Sequence, residues 1–159
     1  MQLPLSGDDQ IAFKERLWRA SIELIESRIA RTVTSMEAAQ AAANAEEKSS
    51  AGDKYETSRS MNQLDKEMHS RQLVANRAEL AALQQVPVGQ VNAFVGPGAV
   101  AAFDGRVFFI AAGLGKINFE GVEVYLLSPK APLAVALNKK QVGDMVVFDR
   151  LESRIELLF

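Results

Sequence analysis

The sequence predicts an α+β protein: an antiparallel coiled-coil hairpin over residues 1–86, then a small β-rich domain over residues 87–159. Three observations carry this. From Asp8 to Val86 there is no proline and Gly52 is the sole glycine, while Ala, Glu, Gln, Arg, Leu and Met, all helix formers, dominate. From Pro87 onward glycines recur and Val, Ile and Phe become common, which puts a domain boundary at 86–90. Ser49-Ser50-Ala51-Gly52 interrupts the first half and supplies a tight turn between two helices, with the tip near 49–56.

In the first helix Ile22, Ile25, Ile29, Val33, Met36, Ala39 and Ala43 recur at steps of three or four, the narrow seam of a coiled coil. In the second, Met61, Leu64 and Met68 start a seam that continues, after a slip in phase, through Leu73, Leu80 and Leu83. Arms of about 35 residues would reach roughly 50 Å at 1.5 Å per residue, so such a hairpin projects. The run Ala38-Ala39-Gln40-Ala41-Ala42-Ala43-Asn44-Ala45 either thins the distal end by letting two backbones approach or simply holds an exposed helix together.

The second half alternates strands and turns. Ala99–Phe103, Asp104-Gly105 and Arg106–Ile110 form a strand, a favoured two-residue turn and a strand. Lys116–Phe119, Glu120-Gly121 and Val122–Leu126 repeat the pattern. A short helix is expected over 132–137, a turn at Gly143-Asp144, and further strands at 145–148 and 154–159. A segment of this size builds one core.

Composition removes several function classes. There is no cysteine, hence no disulfide, no zinc–thiolate site and no thiol nucleophile, which fits a cytoplasmic address. With His69 the only histidine, a multi-histidine metal cage is impossible, and any triad with a histidine base must use that residue. The formal net charge of −2 argues against gripping bare nucleic acid by neutralising many phosphates, so no independent DNA binding is expected. No run of apolar residues is long enough to span a membrane, and MQLPLSGDDQ lacks the basic and apolar segments of a secretory leader.

Directly after the turn stands Gly52-Asp53-Lys54-Tyr55-Glu56. Asp53 and Glu56, three apart at a helix start, bring their carboxylates near each other on one face. Such a pair supplies part of a Mg²⁺ shell, because that ion takes oxygen ligands and is commonly shared with phosphates. Two ligands hold it weakly, so a partner must complete the site. The same Asp-x-x-Glu is also a capping box, and acidic residues suit the positive end of a helix dipole. The two roles are compatible.

At these residues the chain resembles the Gre family of bacterial transcription elongation factors, whose hairpin tip carries Gly-Asp followed three residues later by Glu. A second likeness runs from Ser128-Pro129 through the apolar helix to Lys140-Gln141-Val142-Gly143-Asp144, similar to the family's Ser-Pro, small helix and Lys-x-x-Gly-Asp. The resemblance implies an FKBP-like second domain that docks on RNA polymerase, and a hairpin that enters the secondary channel. It implies that Asp53 and Glu56 help hold a Mg²⁺ shared with the polymerase active site and orient a water that cuts backtracked RNA near its 3′ end. The polymerase would carry the hydrolysis, so the isolated chain is not expected to be an enzyme. The tip departs from the family in Lys54 and Tyr55 and in Thr57–Met61, and Lys139 stands where the family commonly has glycine. A non-catalytic regulator of the same channel, or a coiled-coil interaction module unrelated to transcription, is the alternative.

Arg28, Arg31, Arg59, Arg71 and Arg77 read as a solvated helix face rather than RNA contacts. Phe103, Phe108, Phe109, Phe119 and Tyr125 read as core. His69 has no nucleophilic partner in sequence and receives no role.

Overall fold

The computed structural model describes residues 2–49 and 53–159, with side chains from 2–46 and 56–159. The class is α+β: a long helical hairpin, α1 (Gly7–Ser49) and α2 (Asp53–Gln84), precedes a small sheet domain. The chain divides into two compact units, Met1–Glu23 with Ala81–Phe159, and Leu24–Leu80. Ser50, Ala51 and Gly52, the centre of the expected turn, lie outside the described residues.

The first unit is built on a sheet ordered β3-β4-β2-β1-β7, with β1 (Val100–Phe103), β2 (Arg106–Ile110), β3 (Gly115–Phe119), β4 (Val122–Leu127) and β7 (Leu157–Leu158). Both expected hairpins form. Asp104 and Gly105 have φ of 51° and 66°, and Glu120 and Gly121 have 50° and 81°, so both turns place two residues in the left-handed region that matches strand twist. The strands β2 and β4 run parallel, Val107 opposite Val124 and Ile110 opposite Leu127, with β3 outside them.

The strand expected over 154–159 is two strands. β6 (Leu151–Arg154) pairs with β5 (Met145–Phe148) as a separate hairpin, closed at Asp149 with φ 53°. The chain then changes sheet: Ile155 N donates to Asp144 O, Glu156 N donates to Ala102 O, and β7 pairs with β1. Each half-strand follows a different partner, which a local hydrophobic pattern does not encode.

Adjacent residues of β2 are all buried beyond Arg106, as expected of a strand covered on both faces. Ala101, Phe103, Phe108 and Ile110 join Leu137 of α3 (Pro132–Leu137), Val146 and Ile155 in one core. Phe103 stacks on Phe108 at 4.6 Å, and Phe108 on Tyr125 at 5.3 Å. Towards α1, Phe13 meets Phe119 edge-on at 5.4 Å and Phe159 at 6.0 Å. Trp18 Nε1 donates to the Leu83 carbonyl at 2.7 Å, tying the start of α1 to the end of α2. The α1 start is capped: Ser6 Oγ accepts from Asp9 N at 3.3 Å and donates to Asp9 Oδ2 at 2.5 Å, which satisfies an otherwise orphaned backbone donor.

In the second unit the α1 seam falls where the spacing predicts, with Ile25 buried and Ile29, Val33, Met36, Ala39 and Ala43 half-buried. Thr32 also lies on it and donates to Arg28 O at 3.0 Å, which satisfies its hydroxyl. The α2 seam differs from expectation. Met61, Leu64 and Met68 are 62%, 63% and 48% exposed. The later part of the seam holds, with Leu73 and Leu80 half-buried and Leu83 buried, while Ser58, Asn62, His69, Ser70, Asn76 and Glu79 are the other half-buried positions of the helix. Asn62, His69, Leu73, Asn76, Leu80 and buried Leu83 fall on one heptad phase, with Ser58 one residue off it and Lys66 exposed on it: polar side chains occupy the distal seam and the methionines ride beside it.

Candidate functional site

The helix α2 begins at Asp53, so the acidic pair falls in its first turn, as the spacing predicts. Glu56 is exposed. The side chain of Asp53 lies outside the described residues, as do those of Lys54 and Tyr55. Among the described residues no group of three or more His, Asp or Glu side chains converges. Mg²⁺ prefers six oxygens, so an ion held by Asp53 and Glu56 would need further donors.

Behind the tip the two helices enclose a groove of about 360 Å³, lined by Met36, Ala39 and Ala43 of α1 and Arg59, Asn62 and Lys66 of α2. Asn62 Nδ2 donates to Glu46 Oε2 at 3.2 Å across it. Of the alanine run, Ala39 and Ala43 face the partner helix half-buried, while Ala38, Ala41, Ala42 and Ala45 are exposed. The first two line this groove; helix propensity is the physical reason left for the rest.

A second groove of the same unit was not foreseen. Arg28, Arg31 and Ser35 of α1 line it opposite His69, Gln72 and Asn76 of α2, around about 340 Å³. Reading the arginines as a scattered solvated face missed it, because antiparallel pairing brings residue 28 towards 76 and residue 35 towards 69. The signal available in the sequence was the common spacing of three and four in both triplets.

The second motif region lies in the sheet unit. Lys139, one residue past the cap of α3 at Asn138, has φ 65°, and Gly143 has φ 90°. Asp144 Oδ2 accepts from Gln141 N at 2.9 Å, which closes the turn before β5. Lys139 N donates to Val95 O and Val95 N to Lys140 O, both at 2.8 Å, so this turn also anchors the chain leaving α2. None of the described helices is long and apolar enough to cross a membrane. Compared with known proteins, the chain matches no family model and no curated protein.

Proposed function

We propose that the protein is a Gre-type regulator of RNA polymerase, inserting its hairpin into the secondary channel and stimulating cleavage of backtracked RNA. The observation that carries the reading is the start of α2 at Asp53, with Glu56 exposed in the same turn of helix. A carboxylate that its own fold leaves in solvent is available to a partner's catalytic centre. The left-handed backbone of Lys139 adds support: a family that commonly has glycine there satisfies the same conformational demand. The sheet unit, under this reading, is the FKBP-like platform that docks on the polymerase, and the compartment is the cytoplasm.

Asp53 and Glu56 would hold Mg²⁺ together with the polymerase's own carboxylates, and the ion would supply Lewis-acid stabilisation of phosphodiester hydrolysis. The chain's own contribution is positional. Its carboxylates accept hydrogen bonds from a water and aim it at the scissile phosphate.

Cleavage in backtracked elongation complexes tests this. Wild-type protein is expected to shorten the RNA from its 3′ end, while Asp53→Asn and Glu56→Gln still bind polymerase without doing so. Binding without cleavage by the wild type would assign the non-catalytic role that Lys54 and Tyr55 at the tip favour. No retention on polymerase at all would sink both versions.

A further inference from the structure

We propose that the distal hairpin is a built-in opening segment: residues 33–46 of α1 and 58–76 of α2 unfold and refold as one cooperative unit latched by Leu73, while the turns around Ile25 and Leu80 stay closed. On the heptad phase of α2 the positions from 62 to 76 are Asn62, Lys66, His69, Leu73 and Asn76, and Leu73 alone is apolar. A coiled coil is held by such seam side chains, and a single polar residue there already costs stability. Opposite them, Val33, Met36, Ala39 and Ala43 of α1 are half-buried and none is buried, whereas Ile25 is buried and Leu80 brings an apolar side chain back to the seam.

The space between the arms is not filled either. The groove of about 360 Å³ has Met36, Ala39 and Ala43 on one side and Arg59, Asn62 and Lys66 on the other, so burial and dispersion contacts are both reduced there. The bond from Asn62 Nδ2 to Glu46 Oε2 across it is exposed, where water competes for both groups. The large apolar side chains that α2 does carry in this stretch, Met61, Leu64 and Met68, point into solvent and hold nothing closed.

Local opening is easiest where few apolar contacts are buried. Helix formation needs a nucleus, and most helical stability in a protein comes from tertiary packing. The turns over 58–69 bury little themselves, so they persist as extensions of the turn that Leu73 anchors. When that turn lets go, the next apolar anchor on the seam is Leu80, and both arms beyond it open together. A partner that grips both arms selects the closed form, whether or not that partner is RNA polymerase.

Native-state hydrogen exchange of the full chain, followed through urea concentrations below global unfolding, tests this. Amides over 58–72 and 36–46 should share one opening free energy and one urea slope, both below those of β1, β2 and the turns around Ile25. Leu73→Ala should speed exchange in both arms about five- to thirtyfold. Leu64→Ala, the same change at an exposed position, should leave both arms near wild type. Asn62→Leu, which supplies an apolar side chain to the groove, should slow both arms roughly fivefold. Unchanged exchange in β1 and β2 shows that each variant is folded. Protection that climbs residue by residue away from the tip, or one value shared by the whole chain, would overturn the proposal. So would Leu73→Ala acting no more strongly than Leu64→Ala or on α2 alone, or Asn62→Leu without effect.

Discussion

Lys14 Nζ donates to Asn92 Oδ1 at 2.6 Å from a side chain that solvent does not reach. Its second acceptor is the Gln90 carbonyl at 2.7 Å, so one amine fastens α1 to the segment between α2 and β1. Burial lowers its pKa from 10.5 to about 8, because an ammonium loses more hydration than an amine does. The neutral amine keeps two N–H donors and still serves both acceptors.

A pH dependence follows. In the unfolded chain Lys14 titrates near 10.5, in the folded one near 8. Between these values the unfolded state holds more protons, so stability rises with pH across that window and gains nothing from this group below it. Urea unfolding from pH 7 to 11 should show wild type gaining on Lys14→Met through the window. Parallel curves would mean that the amine is hydrated. Asn92→Ala should cost about 2 kcal/mol at pH 7, the scale of a hydrogen bond to a charged group.

Gly98 is held in a tighter place. Its φ is 87°, and a Cβ there would stand 1.9 Å from the Pro87 carbonyl oxygen. Gly98 N donates to Ile110 O at 2.7 Å, so the backbone is pinned from the other side. Gly98→Ala is expected to cost about 3 kcal/mol or more, strain plus displaced backbone. Gly143→Ala, with φ 90° but open space around it, should cost only about 1 kcal/mol from strain. Chemical denaturation of the two variants side by side separates steric overlap from backbone strain.

What was legible in the sequence was whatever depends on neighbours along the chain. The Asp104-Gly105 and Glu120-Gly121 turns fixed two hairpins, and the change of grammar near Pro87 fixed the class. The parallel pairing of β2 with β4 and the parting of β6 from β7 were not legible, since they depend on partners far away in sequence. The helix start at Asp53, which puts Glu56 in the first turn, was read directly from spacing. The arginine–histidine groove was not, because it exists only once two helices adopt a register.

Lys139 occupies the left-handed region at φ 65° just beyond α3, where a Cβ meets the neighbouring carbonyl and costs about 1–2 kcal/mol. Glycine avoids that cost but loses more entropy on folding. Lys139→Gly is therefore expected to stabilise the protein by about 0.5–1 kcal/mol, whereas Lys139→Val should destabilise it, branching at Cβ being least tolerant of positive φ. A higher melting temperature for Val than for Gly would mean that the turn relaxes out of this conformation.

The phase of α2 makes the last prediction. If Met61, Leu64 and Met68 formed the seam, polar substitution of all three would unzip the distal hairpin. They are exposed, and surface changes away from special features cost within about 0.5 kcal/mol each. The triple variant Met61→Gln, Leu64→Gln, Met68→Gln should therefore keep its helix content and unfold within about 1.5 kcal/mol of wild type. Leu73→Ala and Leu80→Ala, on the heptad that includes half-buried His69 and Asn76, should each cost more than any one of those changes, about 1–2 kcal/mol for a partly buried leucine. Hydrogen exchange of α2 amides places the effect: rates over residues 58–70 should stay near wild type in the triple variant and rise in Leu73→Ala. The opposite pattern would restore the methionine seam and move the polar side chains into solvent.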